Sequence, residues 1–185
     1  MRVAEYLQQR GAHHDVVHWA EAYDQDFARA YAECPRGDWL LAVAVRAGVT
    51  PQARCLAAAA CARLGLTWLD APEQAQAALG LLEQFAQGQV SADALAEPRA
   101  RLQGQELPDP ASATALSAVV LALSSATDPE AAAMVPSAVL QAAMFAVADC
   151  AVMSLMRHTQ QETAEAVRAH IPYALVVGGC EDRER

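Results

Sequence analysis

The stretch Cys34-Pro35-Arg36-Gly37-Asp38-Trp39-Leu40-Leu41-Ala42-Val43-Ala44-Val45-Arg46-Ala47-Gly48 carries both a helix start and a helix stop. Pro35 suits the first helical position, where a missing N–H costs nothing and its fixed φ is already helical. Asp38 then falls in the first turn, near unpaired backbone N–H groups and the positive end of the helix dipole. Gly48 suits the left-handed position just past the helix, and Thr50-Pro51 offers a cap and first residue for the next one. Between these signals Trp39 to Val45 is apolar all round, the pattern of a core helix. The reading is an all-α, single-domain orthogonal bundle around a short buried helix over about 35–47, with a long helix near the C-terminus.

Composition agrees with this. Of 185 residues, 54% are hydrophobic and only 5% aromatic, so alanine, leucine and valine are the packing material. Small side chains let helices approach closely. Lysine and asparagine are absent and Ile171 is the sole isoleucine, a bias that fits a GC-rich genome and carries no functional message. The formal charge of -9, with no basic run, argues against nucleic-acid binding and toward a basic partner. Five cysteines (Cys34, Cys55, Cys61, Cys150, Cys180) without CxxC spacing read as buried thiols in a reducing cytoplasm. The first residues hold no apolar signal core, and the alanine-dominated runs 111–127 and 131–156 carry polar residues, so no membrane span is expected.

Working outward, Val3–Arg10 predicts a helix stopped by Gly11, His13–Tyr23 a second, and Phe27, Ala30 and Tyr31 the stripe of a third capped by Asp24 or Asp26. Pro51–Leu64 is a helix with an alanine and cysteine face. Asp70 reads as the cap of a helix through Phe85, and Ser91 as the cap of one reaching Leu102. The segment 104–111 is the clearest loop, yet residues 1–177 form one domain, because the last third lacks large apolar residues for its own core. Ala111–Ser125 is a helix; Asp128-Pro129-Glu130 starts another, which Pro136 breaks or kinks. Residues 137–170 hold neither Gly nor Pro and read as one long helix, or two with a bend near His158. Ile171–Val177 reads as extended, and 178–185 as a charged, frayed tail.

Candidate chemistry is sparse. His14, His18 and Glu21 share one helical face, a donor set suited to zinc, so a metal-dependent enzyme is one alternative. Asp149, inside an apolar run, reads as a buried carboxylate bonded to a helix end. Nucleophile elbows and phosphate-cradling glycine loops are missing, so neither catalysis nor a cofactor is expected. The alanine-rich helices 111–125 and 137–156 suggest a self-associating scaffold or homo-oligomer as another alternative.

Two stretches carry a family resemblance. Ala32-Glu33-Cys34-Pro35-Arg36-Gly37-Asp38-Trp39-Leu40-Leu41, closing at Arg46-Ala47-Gly48-Val49, resembles the hallmark of a bacterial family of helical immunity proteins associated with polymorphic-toxin systems. Ala164-Glu165-Ala166-Val167-Arg168-Ala169-His170-Ile171-Pro172-Tyr173 resembles that family's closing motif. Thr163 and Val43 stand where family members often carry a cysteine and an aromatic. The resemblance implies a cytoplasmic protein that binds and neutralises a cognate toxin stoichiometrically, without catalysis. It marks Cys34, Pro35, Arg36, Asp38, Trp39, His170, Pro172 and Tyr173 as motif residues, with structural roles such as a Trp39 core anchor. The acids of the first helices point to a basic toxin, held at Trp19 and Tyr23 beside Asp24 and Asp26, charge speeding encounter and aromatics supplying affinity.

Overall fold

The computed structural model describes residues 2–9, 11–147 and 152–181. Among them the chain folds into eleven α-helices without a strand, the all-α architecture expected from the sequence. An N-terminal layer is made of α1 (Val3–Gln9), α2 (His14–Ala20) and α3 (Phe27–Glu33). Then follow α4 (Gly37–Ala47), α5 (Pro51–Gly65), α6 (Glu73–Ala86), α7 (Ala96–Gln103), α8 (Pro110–Ser124), α9 (Pro129–Phe145), α10 (Val152–His170) and α11 (Tyr173–Glu181). No helix among the described residues is long and apolar enough to cross a membrane.

Small residues set the packing. Along α5, Ala57, Ala58, Ala59, Cys61, Ala62 and Gly65 are all buried, and α6, α8, α9 and α10 close around the helix. The alanine-rich faces of α8 and α9 turn toward each other within the chain, burying Ala115, Ala118, Ala122, Ala132, Val139 and Ala142. A second, smaller cluster of Val3, Leu7, Val16, Ala20 and Ala30 sits under the N-terminal layer. Trp19, Trp39 and Val43 pack against both clusters and join them.

The helix over 35–47 forms, with two differences. It starts at Gly37, after Arg36 in extended backbone (φ -123°, ψ 118°), so Pro35 lies outside it. Its burial is one-sided: Leu40, Leu41, Ala44 and Ala47 face the core, while Trp39, Ala42, Val43 and Arg46 form a half-open stripe. Trp39 is therefore a partly buried wall residue, packed against the core but left open to the cavities on either side of it. The stop signals hold, with Gly48 left-handed at φ 78° and Thr50 capping α5 through the Ala53 N–H.

Elsewhere, Asp26 is the cap of α3, accepting from the Arg29 N–H at 2.9 Å. Asp70 is not a cap: Pro72, already helical at φ -80° and ψ -3°, holds that position without a side-chain bond. Ser91 precedes a 3-10 turn, Ala92–Leu95, that leads into α7, and its side chain caps nothing. Pro136 does not end α9, which runs through it; burial of Ala132, Val135 and Val139 among four helices outweighs the missing hydrogen bond. The segment 137–170 holds two helices, α9 ending at Phe145 and α10 running over Val152–His170, so the first ends ahead of His158; Asp149 lies outside the described residues. The segment after His170 is helical, not extended, because Tyr173 and Val176 pack on the core and override the strand preference of the valines. The backbone of 178–181 continues α11, and 182–185 lie outside the described residues.

Arg54, in α5, is buried at 8% exposure and its Nε has no partner. Burial pulls the guanidinium below its ordinary value. A buried charge without a good partner costs more than an apolar side chain of similar length. Arg54→Met is therefore expected to be neutral or stabilising by up to about 1 kcal/mol, read as a higher urea midpoint. A clear loss would show that the guanidinium is well compensated.

A candidate binding cleft built on the central helix

The two motif stretches, far apart in sequence, meet in space. Tyr31 Oη donates to the Ile171 carbonyl at 2.5 Å, and Arg168 Nη1 donates to the Cys34 carbonyl at 2.8 Å. The Tyr31 and Tyr173 rings lie 5.8 Å apart, and Cys61 Sγ donates to the Thr163 carbonyl at 3.6 Å. Gly37 makes the approach possible, since a Cβ there would stand 2.8 Å from the backbone C and O of Thr163. His170, half-buried, ends α10, and Pro172 is exposed ahead of α11. Sequence reasoning missed Tyr31, Thr163 and Arg168 as fasteners, because bonds to distant carbonyls leave no local spacing.

With that end of α4 fixed, the Arg36 side chain turns back along the helix. Its Nε lies 3.0 Å from Asp38 Oδ1 and its Nη2 lies 2.5 Å from Oδ2, while the guanidinium sits 4.5 Å from the centre of the Trp39 ring. Ser137 Oγ, from α9, donates to Asp38 Oδ2 at 3.3 Å. Asp38 thus binds side chains rather than the helix N–H groups expected of it, and its carboxylate raises Arg36 above the ordinary arginine value. Bidentate pairing and ring stacking together fix the planar guanidinium in place.

This assembly forms one side of a cleft of about 760 Å³ between α2, α4, α8 and α9. Trp39, Val43, Leu121 and Met134 give it apolar walls, and Asp15, Glu130 and Gln141 add polar groups. Met134 is 57% exposed although apolar. Arg46 closes the α2 side, donating to the Gly11 carbonyl at 3.3 Å and to Ala42 at 3.1 Å.

Comparison with protein-family models, curated proteins and solved structures returns no match to this chain.

The remaining candidates fall around this cleft in different ways. Trp19 is half-buried, with its ring 5.7 Å from Trp39 and 4.7 Å from Tyr23, so one aromatic row leads from the cleft to the α2–α3 turn. Asp24 and Asp26 are exposed, but both serve the turn: Asp26 as a cap, Asp24 at φ 44° with its carbonyl accepting from the Val3 N–H at 2.6 Å. Arg2 and Arg29 stand among these acids, at 3.4 Å from Asp24 and 2.8 Å from Glu33.

His14, His18 and Glu21 do not gather into one donor set. His18 Nδ1 faces Glu21 Oε2 at 3.0 Å, whereas His14 turns to Asp15 at 2.9 Å. Among the described residues the convergent group is His13, His14 and Asp15, all exposed, with ligand atoms within 4.8 Å of one another. A shared helical face brought the candidate residues near, but His14 and His18 are one turn apart and each meets a different carboxylate. The convergent group sits at the start of α2, where the helix dipole opposes a cation.

Burial governs the three described thiols. It raises Cys55 and Cys61, and pushes Cys34 from its ordinary value near 9 to about 11. Such thiols stay protonated and make poor nucleophiles. The folded chain holds these protons more tightly than the unfolded chain does. Stability is therefore expected to be unaffected by them below about pH 9 and to fall as pH rises toward about 11, seen in urea midpoints taken across that range.

Proposed function

We propose that this chain is a protein-binding module of the immunity class, which holds a basic toxin stoichiometrically in the α2/α4/α8/α9 cleft and performs no chemistry on it. The observation that carries the reading is the place of Arg36, Asp38 and Trp39. All three belong to the stretch that resembles the immunity family, and all three line the cleft. A fixed aromatic and a stacked arginine inside a concave, partly apolar surface are the side chains that most often anchor protein interfaces. Asp15 and Glu130 in the same lining, together with the net charge of -9, favour a cationic partner. The row from Trp39 through Trp19 to Tyr23 extends that surface toward Asp24 and Asp26.

The test is binding to the product of the neighbouring gene, followed by surface kinetics. Trp39→Ala is expected to speed dissociation by about tenfold or more, while Asp15→Asn with Glu130→Gln slows association and flattens its salt dependence. Far-UV circular dichroism checks that each variant remains folded. Failure of the neighbouring product to bind, or wild-type kinetics in folded Trp39→Ala, would sink the proposal.

A further inference from the structure

Trp39 has a second side. Behind the cleft, between the N-terminal layer and the α4 and α11 wall, lies another cavity of about 530 Å³. Tyr6, Trp19, Phe27, Tyr31, Trp39 and Tyr173 all line it, more than half of the chain's Trp, Tyr and Phe side chains. In a chain with 5% aromatics this concentration is specific to one place. The rings meet in one edge-to-face pair, Tyr6 on Phe27 at 5.4 Å and 84°, and two tilted ones, Trp19 on Trp39 at 5.7 Å and 57° and Tyr31 on Tyr173 at 5.8 Å and 43°. Ring faces and ring edges are thus both available to a guest, the two surfaces aromatic contacts use.

The polarity of the lining narrows the guest further. Among the described residues no charged side chain lines the cavity, although the adjoining cleft holds several. Tyr31 Oη is committed to the Ile171 carbonyl, and Cys34 Sγ donates to the Arg36 carbonyl at 3.5 Å. An anionic guest would lose its hydration without compensation, and a small, strongly hydrated cation would recover only part of its own from the ring faces. An apolar one would lose nothing, and the volume matches that of ordinary small-molecule pockets.

We propose that this cavity binds an uncharged, planar aromatic small molecule. The site is separate from the partner cleft and does not depend on it, sharing only Val16, Trp39 and Val43 as a common wall.

The probe is N-phenyl-1-naphthylamine, which is uncharged, aromatic and emissive in apolar surroundings. Titration into the full chain is expected to saturate at one probe per chain, with energy transfer from Trp19 and Trp39. Trp68→Phe, outside the cavity, should leave that transfer in place. Ala30→Leu, which fills the wall, should weaken binding by about tenfold or more while the circular dichroism stays unchanged. If Ala30→Leu does not fold, Val177→Trp at the exposed edge of the cavity serves the same purpose. Unsaturable binding, or equal affinity in a folded filled variant, would overturn the proposal. So would a sedimenting dimer that excludes the probe, since a second copy would then occupy the cavity.

Discussion

Gly37→Ala is expected to cost about 3 kcal/mol, at the upper end of what overpacking does, and to lower the urea midpoint without changing the slope. The added methyl carbon would meet Thr163 C, O and Cβ, each at 2.8 Å. Two of those atoms are backbone, so no change of rotamer relieves the clash. Thr163→Ala should therefore fail to rescue Gly37→Ala, since it keeps the Cβ and both backbone atoms. The α4–α10 contact would have to open, loosening the Arg168 bond to the Cys34 carbonyl nearby. A loss below about 1 kcal/mol would mean that the two helices separate easily.

Leu41→Ala should also cost about 3 kcal/mol, within the range of buried leucine truncations. Leu41 is 0% exposed, on the inward side of α4. The apolar surface lost and the space left behind add together, and alanine-rich neighbours have few long side chains to fill that space. Truncation of Val45, half-buried on the same helix, should cost clearly less. Comparing the two by urea denaturation tests whether α4 is packed on one side only.

Much of the fold was legible because its signals are local. Gly48, Thr50-Pro51, Asp26 and Asp128-Pro129 act within a few residues, and each stands where a helix ends or begins, whereas Asp109-Pro110, read as loop, is in fact the cap and first residue of α8. The misread places were settled by distant packing. Pro136 read as a break or a kink, and it is not a break: four neighbouring helices hold α9 together across it. Ile171–Val177 looked extended until Tyr173 and Val176 found a core to cover. The candidate cleft was half legible. Arg36, Asp38 and Trp39 stand out in sequence, but their shared opening depends on which side of α4 the other helices leave bare. Ser137 and Met134, one on each side of Pro136, give no sign that they face it. The metal candidates show the opposite error: shared periodicity without convergence.

The bonds from Tyr31 to Ile171 and from Arg168 to Cys34 close loops of 140 and 134 residues. On a translating ribosome, residues near 31 emerge long before their acceptor is made. At about 5–20 residues per second, that interval is roughly 7–28 s. Through that time the aromatic side chains of the first three helices have no α11 to rest on. That aromatic surface thus stays sticky until α11 emerges, and this part of the fold cannot close before then.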